Sequence, residues 1–223
     1  MNLEFLLIII VGVVGMIVQS RLQYVFKKYS QVPFAETGAQ VAERMLRENG
    51  IYDVKVVSTS GHLTDHYNPA TKTVNLSQSV YGSRSVSAAA VAAHECGHAL
   101  QHAKGYAPLK LRSALVPVVS FSSMWATWVI IAGVLLINTV PELLWVGIGM
   151  IAMSALFSIV TLPVEYNASN RALKWLDNSY NLDSVSSAQA HEALSWAART
   201  YLVAALSAIA TLLYYLSMAR GRD

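Results

Sequence analysis

The chain has 223 residues, of which 54% are hydrophobic and 13% are charged, with a formal net charge of +3. Soluble domains carry roughly 25% charged residues, so this composition excludes an ordinary soluble domain, and the apolar excess excludes intrinsic disorder. One cysteine excludes an intramolecular disulfide framework, which suits a reducing compartment.

The first apolar block runs from Phe5 to Ser20. Its flank, Met1 to Glu4, holds an acid and no base, and no small-x-small site closes it, so it reads as a retained anchor rather than a cleaved signal peptide. After Pro33, Thr37 is placed to cap a helix reaching Asn49, with Val41, Met45 and Leu46 at helical spacing and Gly50 as its stop. Residues 51–58 alternate and are β-branched, which predicts a strand. The turn Asn68-Pro69-Ala70-Thr71 leads to a second strand over Lys72 to Leu76, and the two are expected to pair as a small antiparallel ribbon. From about Ser85 the chain becomes alanine-rich and predicts a helix ending near Gly105. Residues 164–177 and 185–219 are expected to be helical too. No repeat or low-complexity linker divides the chain, so a single domain, 1–223, is expected.

Uncharged stretches between Arg112 and Glu142, between Glu142 and Glu165, and between Arg199 and Arg220 each meet the roughly 20-residue requirement for a helix crossing a bilayer. The expected spans lie near residues 4–20, 113–137, 143–163 and 200–219. Basic residues flank them unevenly: Arg21, Lys27, Lys28, Lys104, Lys110 and Arg112 on one side of the first pair, then Arg171, Lys174 and Arg199, with none in the Asn138–Glu142 turn. The positive-inside rule therefore puts segments 21–112 and 164–199 in the cytoplasm, and the protein in the plasma membrane. Arg220 and Arg222 run against that assignment. Trp125, Trp128 and Trp145 in the spans and Trp175 and Trp196 at helix flanks read as anchors. No basic run with interleaved aromatics points to nucleic acid.

The alanine-rich helix carries His94-Glu95-Cys96-Gly97-His98. Histidines at i and i+4 leave one helix face a turn apart, so both imidazoles reach one ion such as Zn²⁺, and the intervening glutamate is placed to take a proton from an attacking water. Gly97, lacking a side chain, leaves room for another backbone. A third ligand is required. Cys96 projects from another face, His102 continues the face on a helix too straight to give three ligands, and Glu165 is an acid directly after the third span. Spacing leaves these alternatives open. Donors for a developing oxyanion are sought among His66, Tyr67, Arg171 and Tyr201, with His66 first. His62 and His191 lack partner spacing and read as surface residues.

The stretch GHLTDHYNPATKTVNLSQSVYGSRSVSAAAVAAHECGHALQH, followed by LPVEYNASNRAL, resembles the YugP-type membrane zinc metallopeptidases, distantly similar to the HtpX class. The resemblance covers nearly the whole chain, including Asp65-His66-Tyr67. It implies that His94, His98 and Glu165 hold Zn²⁺ in a gluzincin-like set and that Glu95 is the catalytic base. The implied fold is mainly α and integral to the membrane, with about four transmembrane helices and a small cytoplasmic zincin-like α+β region. The implied function is endopeptidase action on peptides or membrane proteins at the cytoplasmic surface, in quality control or processing. A catalytically silent zinc scaffold or chaperone is the alternative. Where the family carries an acid two residues after the ligand glutamate, this chain has Asn167, which bears on metal affinity or rate.

Overall fold

The computed structural model describes residues 3–61 and 63–220. His62, Arg222 and the first two residues of the N-terminal flank lie outside the described residues. The order of elements is α1 (Leu3–Tyr29), α2 (Gly38–Glu48), β1 (Lys55–Thr59), β2 (His66–Asn68), β3 (Thr73–Ser77), α3 (Gln78–Tyr81), α4 (Val86–Ala103), α5 (Ala107–Leu135), α6 (Glu142–Tyr180) and α7 (Ser184–Arg220). The protein is mainly helical. Four of these helices, α1, α5, α6 and α7, are long and apolar enough to cross a membrane. The chain forms two compact units, one of residues 18–109 and 164–199, the other of residues 1–17, 110–163 and 200–223.

In the second of these units, Ile130, Leu144 and Ile148 form a buried cluster joined by Leu212, Tyr215 and Leu216. Small residues set how closely its helices pass. A Cβ on Gly133 would stand 2.7 Å from the Leu144 backbone, and one on Gly147 would stand 2.6 Å from Ile130. Trp125, Trp128 and Trp145 are among its exposed apolar residues, together with Phe121, Met124 and Val146. Such an exterior suits lipid rather than water.

The unit of residues 18–109 and 164–199 has a conventional core. Thr37 caps α2 through a reciprocal capping box with Gln40, and Gly50 follows with φ 72°, the left-handed conformation that ends a helix at low strain. Val41, Ala42, Met45 and Leu46 of α2 are buried against the alanine-rich α4, in which Ala88, Ala89, Ala90, Ala92 and Ala93 are all buried. Short side chains on successive faces let several neighbours approach α4 at once. One of them is α6: a Cβ on Gly97 would lie 2.6 Å from the Ala168 carbonyl oxygen and 3.0 Å from its Cα. Polar ties complete the packing. Glu48 accepts hydrogen bonds from Arg44, Trp175 and Ser179, and these, Arg44 first, hold its carboxyl below the usual range. Trp175 is thereby tied to α2, while Trp196 lies under the guanidinium of Arg199 at 4.1 Å. Tyr29 of α1 donates to Glu192 of α7.

The sheet corrects the expected ribbon. It has three strands in the order β1-β3-β2; β1 pairs with β3 in parallel and β2 pairs with β3 antiparallel. The segment between the two expected strands contains β2, so the chain reverses twice before β3 inserts between them, and two reversals restore the direction of β1. Asp65 fixes the start of β2 by accepting from the Ser77 amide at 2.7 Å and from its hydroxyl. Asn68 shapes the following turn by accepting from Ala70 N at 2.9 Å and Thr71 N at 3.3 Å, with Lys72 at φ 51°. Helix α6 differs in extent from expectation. The third apolar stretch and residues 164–177 form one helix of 39 residues running through Pro163.

Two outcomes test this packing. Gly97→Ala must push α4 and α6 apart against backbone atoms, and is expected to destabilise the protein by about 1–3 kcal/mol, the range for overpacking, read by denaturant unfolding in detergent. Cys96 is fully buried, and burial pushes its thiol well above the usual range. It should resist alkylation by iodoacetamide in the folded protein and react fully once the protein is unfolded.

Candidate metal centre

Helix α4 starts at Ser85, whose hydroxyl accepts from Ala88 N. Its 3.6-residue period turns His94, His98 and Gln101 to one side, while Glu95 and His102 fall on an adjoining one. The first side faces α6 where Gly97 allows the close pass. There Glu165 presents Oε2 at 3.2 Å from His94 Nε2 and 3.4 Å from His98 Nε2. The three side chains are nearly closed to solvent, with exposures of 12%, 11% and 2% for His94, His98 and Glu165. Their ligand atoms all lie within 4.8 Å of one another.

The donor set fits zinc. Two ligand atoms on a tetrahedral ion at about 2.0–2.1 Å would lie about 3.3 Å apart, which is the separation of both imidazole nitrogens from the carboxylate. Two imidazoles and a carboxylate also match the nitrogen and oxygen preference of Zn²⁺, and a three-residue set leaves room for a water and a substrate carbonyl. Burying a carboxylate between two imidazoles without a counter-charge would be costly, so the cluster is chemically suited to a cation.

Each imidazole is also held from behind. His94 Nδ1 lies 3.1 Å from Ser169 Oγ, and His98 Nδ1 lies 3.0 Å from Gln101 Oε1. Gln101 is fully buried and its Nε2 donates to the Val164 carbonyl at 2.7 Å and to Asn167 Oδ1 at 3.1 Å. Asn167 accepts in addition from Arg171 Nε at 2.7 Å. Burial by itself would push the His98 imidazole down, but the Glu165 and Glu95 carboxylates outweigh it and hold His98 above its ordinary range. An ion held here would compete with a proton for the same nitrogen, as at any imidazole ligand.

Glu95 is buried beside the cluster, and one of its oxygens accepts from the Tyr67 backbone N–H at 3.0 Å. Strand β2 is thus fastened to α4 at the glutamate itself. The Tyr67 hydroxyl lies 2.8 Å from His102 Nδ1, and burial, then the charge of Asp53, raises its phenol. A cleft of about 250 Å³ opens beside this pair, bounded by Asp53, Lys72 and Ala99.

The remaining candidates fall elsewhere. His66 is exposed on β2, with Nδ1 at 2.8 Å from the Thr64 carbonyl, and does not join the three-residue group. His102 is engaged by Tyr67, and Cys96 turns into the core, its thiol 3.5 Å from the Ala42 carbonyl. His191 is exposed beside Ser195. Arg171 is bonded to Asn167, and Tyr201 belongs to the other compact unit. Gln101 and Ser169 were missed from sequence. Their only signals are spacings, i+3 from His98 and i+4 from Glu165, which polar helix residues meet often by chance.

Comparison with known proteins agrees with this chemistry. No solved structure matches the chain. It is 42% identical over 210 residues to the "Putative membrane protease YugP" of Bacillus subtilis (strain 168), covering 92% of each chain. The profile of the family described as "Putative neutral zinc metallopeptidase" matches residues 4–220. With nearly its whole length matched and His94, His98 and Glu165 converging from two helices, the chain belongs to this family of zinc metallopeptidases.

Proposed function

We propose that the protein is a zinc-dependent endopeptidase working at the cytoplasmic face of the plasma membrane. The observation that carries this reading is the convergence of His94, His98 and Glu165 with Glu95 adjoining them. His94 and His98 of α4 and Glu165 of α6 would hold the ion. When bound, Zn²⁺ supplies a Lewis acid for the scissile carbonyl and lowers the pKa of a water towards about 7.

The chain's own residues do the rest. The Tyr67 N–H holds Glu95 by one carboxylate oxygen and leaves the other to take the proton of the attacking water. Glu95 then delivers that proton to the departing amine, acting first as base and then as acid. Burial of the carboxylate keeps bulk water from competing for the transfer. Strand β2 is the edge of the sheet that meets α4, so an extended peptide held alongside it would run past Glu95. His66, exposed on the same strand, is the first candidate to meet the oxyanion from the open side.

A scaffold that keeps zinc only for structure would call for a fourth protein ligand. Among the described residues the group has three members, and His102 is bonded to Tyr67 instead. Orientation rests on the basic residues of segments 21–112 and 164–199, and a role in membrane-protein quality control or processing rests on the membrane setting alone.

Two experiments test the reading. Glu95→Gln should retain zinc and lose casein cleavage by about 10²–10⁴-fold, the contribution of a general base; full cleavage with zinc retained would remove Glu95 from the reaction. Glu165→Ala should lose the zinc that co-purifies with the unaltered protein, measured by metal analysis after gel filtration. Undiminished zinc in that variant would show that the third ligand lies elsewhere.

A further inference from the structure

Tyr67 is fastened to α4 at both of its ends. Its backbone N–H donates to Glu95 at 3.0 Å, and its hydroxyl lies 2.8 Å from His102 Nδ1. Glu95 and His102 stand about two turns apart on α4, so one tyrosine bridges that length of the helix. The phenol ring also packs at a tilt against the imidazole, with centroids 5.8 Å apart. Among the described residues, these are the hydrogen bonds that join β2 to α4, and both come from Tyr67. Strand pairing does not duplicate them. The three residues of β2 pair with Asn75, Val74 and Thr73 of β3, which fixes β2 within the sheet but not its distance from α4. In an antiparallel ladder alternate residues turn their amides away from the partner strand, and Tyr67, between His66 and Asn68, turns its N–H to α4. How that amide meets Glu95 therefore depends on what holds the other end of the tyrosine, and that is His102.

We propose that His102 is a positioning residue: through the Tyr67 hydroxyl it holds the Tyr67 amide against Glu95, and so fixes the direction in which that carboxylate faces. This rests on the reading of Glu95 as the group that takes the proton of the attacking water. A carboxylate with one oxygen tied down presents the other in a set direction, whereas a released one turns about its own side-chain bonds and spends less time aligned. His102 stands outside the three-residue group and acts only through Tyr67. The histidine that follows the ligand pair by one more turn of α4 thus supports the proton acceptor and not the ion. It is exposed, so the link can be cut without opening the core.

The test uses the full-length protein as purified, in nanodiscs. His102→Leu and Tyr67→Phe each remove the link and keep the shape, and each should lower kcat for casein by about 10-fold, less than the roughly 10²-fold cost of a misplacement of about 1 Å. KM and zinc content should not change. The double variant should be no slower than either single one, because both changes cut the same link. His102→Asn, whose amide places a polar atom where the ring carries Nδ1, should recover most of the lost rate. A second readout is independent of proteolysis: hydrogen exchange at the Tyr67 amide, followed by NMR with ¹⁵N-labelled tyrosine and assigned by the loss of its signal in Tyr67→Phe. That amide should exchange about 10-fold faster in His102→Leu, the fold-change of one lost hydrogen bond of ordinary strength, and slowly again in His102→Asn. Unchanged exchange in His102→Leu would overturn the proposal. So would unchanged kcat in both single variants, or a raised KM at constant kcat, which would make the pair a substrate contact. Faster exchange in a protein that cleaves nothing would sink the enzymatic reading and leave the link from His102 to the Tyr67 amide standing; normal cleavage with unchanged exchange would do the reverse.

Discussion

The site depends on one close approach, the passage of α6 over Gly97 of α4. Glu165 and the two histidines are on different helices, and their ligand atoms come together because nothing but hydrogen projects from residue 97 towards the Ala168 backbone. The position of Gly97 between the two histidines is therefore structural, and it serves Glu165 more than it serves its sequence neighbours. The alanines before it extend the same condition along α4, letting α2 and the neighbouring helix backbones pack around a rod of small diameter.

Once that approach is set, the polar groups fall into two layers with different tasks. The inner layer is the pair of imidazoles and the carboxylate. The outer one is Ser169, Gln101, Asn167 and Arg171, drawn from the same two helices. Because both layers ride on α4 and α6, any shift between these helices disturbs ligands and supports together. Glu95 differs: its partner is the Tyr67 amide, so its carboxylate takes its position from the sheet. Asp65, by pinning the start of β2 to Ser77, is a remote part of that support.

Much of this was legible in the sequence. The four apolar helices followed from charge-free stretches, because a bilayer imposes a length that composition alone reveals. The α2 cap at Thr37 and the α4 start at Ser85 were legible because capping is local. The parallel pairing of β1 with β3 was not, since it depends on β2, three residues with little pattern of their own. Glu165 could be suspected from its place after an apolar run, but the distance that joins it to His94 belongs to helix packing, which no spacing encodes. Gln101 escaped for a related reason: its neighbours Val164 and Asn167 are far from it in sequence, and one of its contacts is to a backbone carbonyl.

The arrangement of the ligand-bearing helices also bears on how the protein is made. His94 and His98 precede α5 and the first part of α6 in the chain, whereas Glu165 follows them. A ribosome therefore releases the two imidazoles and Glu95 well before the carboxylate that completes the group. A chain caught at that stage has two of the three ligand atoms and lacks the helix that closes over Gly97. The three-residue group can be assembled only after the first part of α6 has been synthesised, so its completion waits on the third apolar helix rather than on the folding of the first polar segment.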